Sequence, residues 1–105
     1  MLLMFGVDIS RLARPLRRKL GGIDEMFRLL TGSEAVVTST YEGDHVANSL
    51  HYSNEAIDLR WPSFQGSEAV IKLREYLGVA FDVVPEVSHI HVEYDPKGQT
   101  KKGGN

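Results

Sequence analysis

Hydrophobic positions along the chain follow two rhythms, one of helical and one of strand spacing, and the switches between them outline the elements. Leu3 to Val7 predicts a short strand or an ordered N-terminal arm, with Asp8 or Ser10 offering an N-cap for the helix that follows. Ile9, Leu12, Leu16 and Leu20 then fall on one side, and Arg11, Arg14, Arg17, Arg18 and Lys19 largely on the other. Pro15 sits inside this pattern, so the helix is expected either to kink there or to begin only near Arg14. Gly21-Gly22 is expected to end it. A second short helix is predicted from Ile23 to Leu30, where Ile23, Met26, Phe27 and Leu30 keep the i, i+3, i+4, i+7 spacing and Gly32 terminates the run.

Ala35 to Thr40, rich in Val and Thr, reads as a strand, and Ala56 to Arg60 as another. The stretch between them is polar and turn-prone. Ser67 to Leu77 predicts a helix with Val70, Ile71, Leu73 and Leu77 as its apolar face, stopped by Gly78. Phe81 to Val84 and His89 to Tyr94 predict two further strands separated by a turn at Pro85. The fold class implied is α+β: a small antiparallel sheet with helices packed against it, forming one domain over residues 1–95. Residues 96–105, rich in Gly and Lys and without an apolar anchor, are expected to form a flexible tail.

Composition narrows the classes of function. With 42% hydrophobic and 25% charged residues the chain has neither the profile of a disordered segment nor that of a repeat array. A net charge of -2 gives no general pull toward nucleic acid. Cysteine is absent, which excludes disulfides and thiolate zinc fingers and leaves His, Asp and Glu as the ligands for any transition metal. The opening Met-Leu-Leu-Met-Phe-Gly-Val run lacks a basic region before it and meets Asp8 too soon to span a bilayer. The expectation is cytoplasmic synthesis without a secretion signal and without stable membrane insertion. The basic stripe from Arg11 to Lys19 has two readings, a contact surface for anionic wall polymers or membranes and, more commonly for such stripes, a solvated helix face.

All the histidines fall in two short clusters, His45 with His51 and His89 with His91. On the last predicted strand, His89 and His91 project from one face while Ile90 and Val92 project from the other. An isolated His-x-His is more often a pair of surface histidines than a ligand pair. The first cluster shifts that balance, because His51 precedes a strand on which Ala56 and Asp58 share a face. A turn carrying His51 beside a strand carrying Asp58 supplies one nitrogen and one oxygen, and His91 from a neighbouring strand completes three ligands. Three protein ligands leave a fourth position for water, the arrangement of a catalytic rather than a structural zinc site. Asp58 taken alone would read as a solvated strand-end carboxylate.

The run Ser49-Leu50-His51-Tyr52-Ser53-Asn54-Glu55-Ala56-Ile57-Asp58 resembles the Ser-x-His-x-x-Gly-x-Ala-x-Asp signature of the zinc D-Ala-D-Ala peptidases, the M15 peptidase family, and His89-Ile90-His91 resembles the later His-x-His of that superfamily. Hedgehog N-terminal signalling domains share the fold, and Val37 to Asp58 is similar to theirs. The resemblance runs from about Val36 to Asp95. It implies a Hedgehog/DD-peptidase-like fold, one Zn2+ ion held by His51, Asp58 and His91, and hydrolysis of peptide bonds in bacterial peptidoglycan, in a stem peptide or a cross-link. It also implies that Glu86 is the catalytic carboxylate that takes a proton from water and passes it to the leaving amine, and that His89 donates a hydrogen bond to the forming oxyanion. His45 matches a histidine of the Hedgehog version and either lines the same cleft or sits in an exposed loop. Ser49 either contacts substrate or pins the turn.

Several features depart from the family pattern. Asn54 replaces the usual glycine, a tolerable change because Asn enters left-handed conformations more readily than most residues. The spacing of Glu86 to His91 matches neither of the commonest family forms. Glu42 stands near the place where many members carry an arginine for the substrate's terminal carboxylate. A carboxylate there would repel a C-terminal carboxylate, which shifts the expectation from strict carboxypeptidase toward endopeptidase cleavage of an internal wall bond, as in a phage endolysin. The competing class is a binding module that keeps the zinc and has lost turnover. A third reading is a metal-free interaction domain with incidental histidines. Trp61 and Pro62, following the Asp58 strand, form either a cleft wall or core packing with a strand stop.

Overall fold

A computed structural model describes residues 1–40 and 55–96 of the chain. In chain order the elements are β1 (Leu2–Leu3), α1 (Arg14–Arg17), α2 (Leu20–Thr31), β2 (Val36–Thr40), β3 (Ala56–Arg60), α3 (Gly66–Leu77), β4 (Phe81–Pro85) and β5 (His89–Tyr94). The strands form one sheet in the order β1-β2-β3-β5-β4. The architecture is α+β, as the alternation of helical and strand rhythms predicts. The sheet is mixed rather than purely antiparallel, because β1 pairs in parallel with β2 while the other neighbours are antiparallel. A two-residue strand carries too little periodicity to reveal its pairing direction.

Alternation along each strand decides what the two faces of the sheet carry. Val37, Ile57, Leu59, Val83, Ile90 and Val92 join Leu16, Ile23, Phe27, Ala69, Leu73 and Leu77 of the helices in one continuous core. The opposite face carries Asp58, His89 and His91. The pairs Asp58 with His91 and Arg60 with His89 lie directly across from one another on β3 and β5.

The helices depart from the expected boundaries for identifiable reasons. Pro15 stands in the first turn of α1, where its missing N–H costs nothing, and the helix does begin at Arg14. Asp8 accepts a hydrogen bond from the Ser10 N–H at 2.9 Å, making a local turn rather than a helix cap. Gly21 and Gly22 do not end a helix; they lie in the first turn of α2, which runs on to Thr31 and stops at Gly32 in a left-handed conformation (φ 82°). At Gly22 the hydroxyl of Tyr76 from α3 occupies the space a Cβ would need. The glycine there serves close helix packing. Ile71, expected on the inner face of α3, is about half exposed, and Ala69 takes the buried position instead. The β4–β5 turn comes after Pro85, which is the last residue of the edge strand β4 and lacks only an outward N–H. Trp61 packs partly buried against the core, with its ring 3.2 Å from where a Cβ on Gly66 would sit. Arg11, Arg14, Arg17 and Arg18 of the basic stripe are exposed. Among the described residues no helix is long and apolar enough to cross a membrane.

One polar cluster ties α2 to the start of the sheet. Asp24 accepts from Arg28 at 2.9 Å and from the Ala35 N–H at 2.9 Å, and the amino group of Met1 lies 3.0 Å from it. Burial works against ionisation of Asp24, but these donors outweigh it and hold its pKa at about 2. A carboxyl whose pKa is depressed on folding contributes stability above its unfolded value near 4, and that stability is lost as pH falls toward 2. The expected result is an acid shoulder in thermal melts between about pH 4 and pH 2 that Asp24→Ala flattens. At pH 7 the same variant should unfold about 1–3 kcal/mol more easily in urea. An unchanged acid limb would assign that transition to other carboxylates.

Candidate metal centre

Strand geometry alone places the candidate donors. Asp58 sits in the middle of β3, between β2 and β5, and its alternation with Ile57 and Leu59 turns its carboxylate to the face away from the helices. It is only 5% exposed, the sole charged residue among the buried ones described. A carboxylate in such a place requires partners. It finds them on β5: His91 Nδ1 lies 3.0 Å from Asp58 Oδ1, and His89 Nε2 lies 3.5 Å from Asp58 Oδ2. The second nitrogen of His91 is 3.0 Å from Glu93 Oε1, and His89 Nδ1 is 3.2 Å from the Ser88 hydroxyl.

The electrostatics favour positive charge at this spot. Burial pushes the His91 imidazole toward its neutral form, yet the hydrogen bonds to Asp58 and Glu93 outweigh that and raise its pKa above the ordinary histidine value. Nearby, burial raises the pKa of Glu55, and the negative charges of Glu93 and Asp95 add to the effect.

Asp58, His89 and His91 are of residue types that can ligate zinc. Among the described residues, no group of three His, Asp or Glu side chains is arranged to hold a metal ion. His51, the third ligand expected from the sequence, lies outside the described residues, as do Ser49, His45 and Glu42.

Glu86 follows β4 and donates its backbone N–H to the His89 carbonyl at 2.8 Å. Extending the β4–β5 register by one pair sets it opposite His89, on the face that carries His91. Its side chain is exposed at the tip of the hairpin. His89 presents Nε2 to Asp58, so the oxyanion role expected of it requires a turn of the ring away from that carboxylate.

Glu93 is the participant that the sequence reading passed over. The signal was present, since His89, His91 and Glu93 recur at every second residue of one strand and therefore share a face.

Beside the site, a groove of about 350 Å3 is lined by Phe5, Gly6, Val7, Thr38, Ser39 and Thr40. Its β2 wall adjoins β3: Ser39 pairs with Asp58, and the Thr38 hydroxyl lies 3.4 Å from the Asp58 carbonyl oxygen. A larger apolar groove, about 440 Å3, lies between α2 and α3, with Met26, Leu29 and Tyr76 among its walls. It gathers no set of metal-ligating groups. No protein-family model, curated protein or solved structure matches the chain.

Proposed function

We propose that this chain is a zinc metallopeptidase of the Hedgehog/DD-peptidase-like fold that hydrolyses peptide bonds of bacterial peptidoglycan. The single observation that carries the reading is the buried Asp58 carboxylate meeting His91 at 3.0 Å and His89 at 3.5 Å across paired strands. The order and spacing of the two sequence motifs support it. In this reading Asp58 and His91, with His51, hold one Zn2+ ion. When bound, the ion lowers the pKa of a water toward about 7 and polarises the scissile carbonyl.

The remaining work falls to the chain's own groups. Glu86 accepts the proton that water gives up on attacking the carbonyl carbon, and returns it to the amine nitrogen as the peptide bond breaks. His89 swings Nε2 from Asp58 toward the carbonyl oxygen and donates to it as negative charge accumulates. The hydroxyl-lined groove along Thr38–Thr40 takes the substrate main chain. The charge of Glu42 disfavours a free C-terminal carboxylate and so favours an endopeptidase acting on a stem or cross-link, as a phage endolysin does, over a D-Ala-D-Ala carboxypeptidase.

The test is digestion of purified cell wall by zinc-loaded protein, by chelated protein and by Glu86→Gln. Release of new amino termini should fall at least about 100-fold in both altered samples. Activity that survives chelation removes the metal from the mechanism. A second reading, a zinc-containing binding module without turnover, is favoured by the exposed position of Glu86 at a hairpin tip. It requires stoichiometric zinc with no hydrolysis of any wall peptide.

A further inference from the structure

We propose that the apolar groove between α2 and α3 joins two copies of this chain, each seating its Leu29 in the other's groove and setting its Glu25 against the partner's Lys72. The surface lies on the helix side of the sheet, away from Asp58, and does not depend on the zinc reading.

The groove has a volume of about 440 Å3, with Met26, Leu29 and Leu30 of α2 and Tyr76 of α3 as its apolar walls. Glu25 stands on the α2 rim and Lys72 on the α3 rim. The Tyr76 hydroxyl fills the place of a Cβ at Gly22, and the Lys19 ammonium lies 4.8 Å from the centre of the Tyr76 ring, so the recess has fixed walls. Leu29 is 82% exposed. A single exposed leucine is commonplace, but this one borders an apolar recess large enough to receive it. A surface that carries both a protruding apolar side chain and the recess beside it is complementary to itself under two-fold rotation.

The rim charges select a second copy as the occupant. A two-fold axis along the groove lays α2 of each copy over α3 of the other, which brings the acidic rim of one onto the basic rim of its partner at both sides. Rims of one sign would repel in that arrangement. Within its own chain Lys72 lies 3.7 Å from Glu75, a solvated contact weak enough for the partner's Glu25 to share.

The sheet edges point the same way. Copies of a strand-containing chain can associate by pairing their edge strands, and here those edges are blunted. On β4 the Arg74 guanidinium donates to the Val83 carbonyl at 2.8 and 3.2 Å, the Phe81 N–H donates to the Gly78 carbonyl at 3.2 Å, and Pro85 has no N–H. At the other edge β1 is two residues long. Among the described residues this leaves self-association to the helix face. Two 12-residue helices side by side offer about 18 by 20 Å, less than the roughly 800 Å2 per partner of a standard interface, so the dimer is weak and concentration-dependent.

The experiment is sedimentation velocity on the full chain over a concentration series up to about 1 mM. Wild type is compared with Leu29→Glu, Glu25→Lys, Lys72→Glu and the double variant Glu25→Lys/Lys72→Glu. Wild type should show a monomer–dimer equilibrium. Leu29→Glu should weaken it at least about 10-fold, and each single charge reversal about 5- to 30-fold, because two like-charge contacts replace two attractive ones. The double reversal should return the dimer to wild-type strength, which pairing with any other surface would not do. All three positions are exposed on helices, so thermal melts of the monomers should coincide. A wild-type chain that stays monomeric to the highest concentration overturns the proposal and leaves the groove to a different partner. A dimer indifferent to Leu29→Glu, or a double reversal no tighter than the single ones, also overturns it. Should Leu29→Glu fail to fold, the three charge variants decide.

Discussion

An Asp58→Ala variant is expected to become less stable by about 3 kcal/mol without any metal present and, on the proposed zinc reading, to lose zinc binding by at least about 100-fold. The carboxylate is 5% exposed and meets two imidazoles of β5, His91 at 3.0 Å and His89 at 3.5 Å. Deleting it leaves His91, whose proton it helps to hold, buried beside an empty space. Breaking a buried pair by removing one partner costs more than the pair contributes, because the remaining polar group keeps its desolvation penalty. Asp58→Asn separates the two effects. It preserves shape and one acceptor oxygen, so it should restore much of the metal-free stability, as read by urea unfolding, while chelator competition still shows weak zinc binding. Zinc binding at wild-type strength in Asp58→Ala would place the metal elsewhere.

The second large effect lies on the opposite face of the sheet. Phe27→Ala should cost about 3–5 kcal/mol, a substantial part of the roughly 5–15 kcal/mol that holds a domain of this size. Phe27 is 2% exposed on the inner side of α2 and packs with Ile23, Val37 and Leu59 in the core. It also borders a groove of about 280 Å3 walled by Trp61 and Pro62, so removing the ring enlarges a space that is already present. The transition midpoint in urea should fall sharply, with Phe27→Leu costing about 1–1.5 kcal/mol. Zinc affinity measured well below that midpoint should stay unchanged, because the sheet separates Phe27 from Asp58. A parallel loss of affinity would mean that packing and site are coupled through β3.

How much of this was legible in the sequence depends on whether a signal was local. Ala56–Arg60 and His89–Tyr94 match the predicted strands residue for residue, because both keep the two-residue alternation of a strand, although β3 is buried on both faces from Ala56 to Leu59. The same alternation put Asp58, His89 and His91 on one face. It did not reveal that Asp58 and His91 are direct partners, since pairing register between strands separated by a whole helix is not written in either strand. Gly21 and Gly22 misled for a related reason. Locally they break a helix, but here α2 passes through them, and at Gly22 a tyrosine from α3 fills the place of a Cβ. The parallel partner of β1 and the outward turn of Ile71 are likewise set by distant contacts.

The pairing of Asp58 with His91 has a consequence for how the chain assembles. The two residues are 33 positions apart and meet only after α3 has brought β5 back beside β3. A slip of β5 by one residue along β3 would set Ile90 or Val92 across from Asp58 and turn the imidazoles toward the helices. That arrangement strands a charge against aliphatic side chains, whereas a slip between two purely apolar strands would cost far less. The ionisable pair therefore acts as a proofreader of strand alignment. The cluster of Asp58, His89 and His91 is completed only in chains whose central strands have joined in the correct frame.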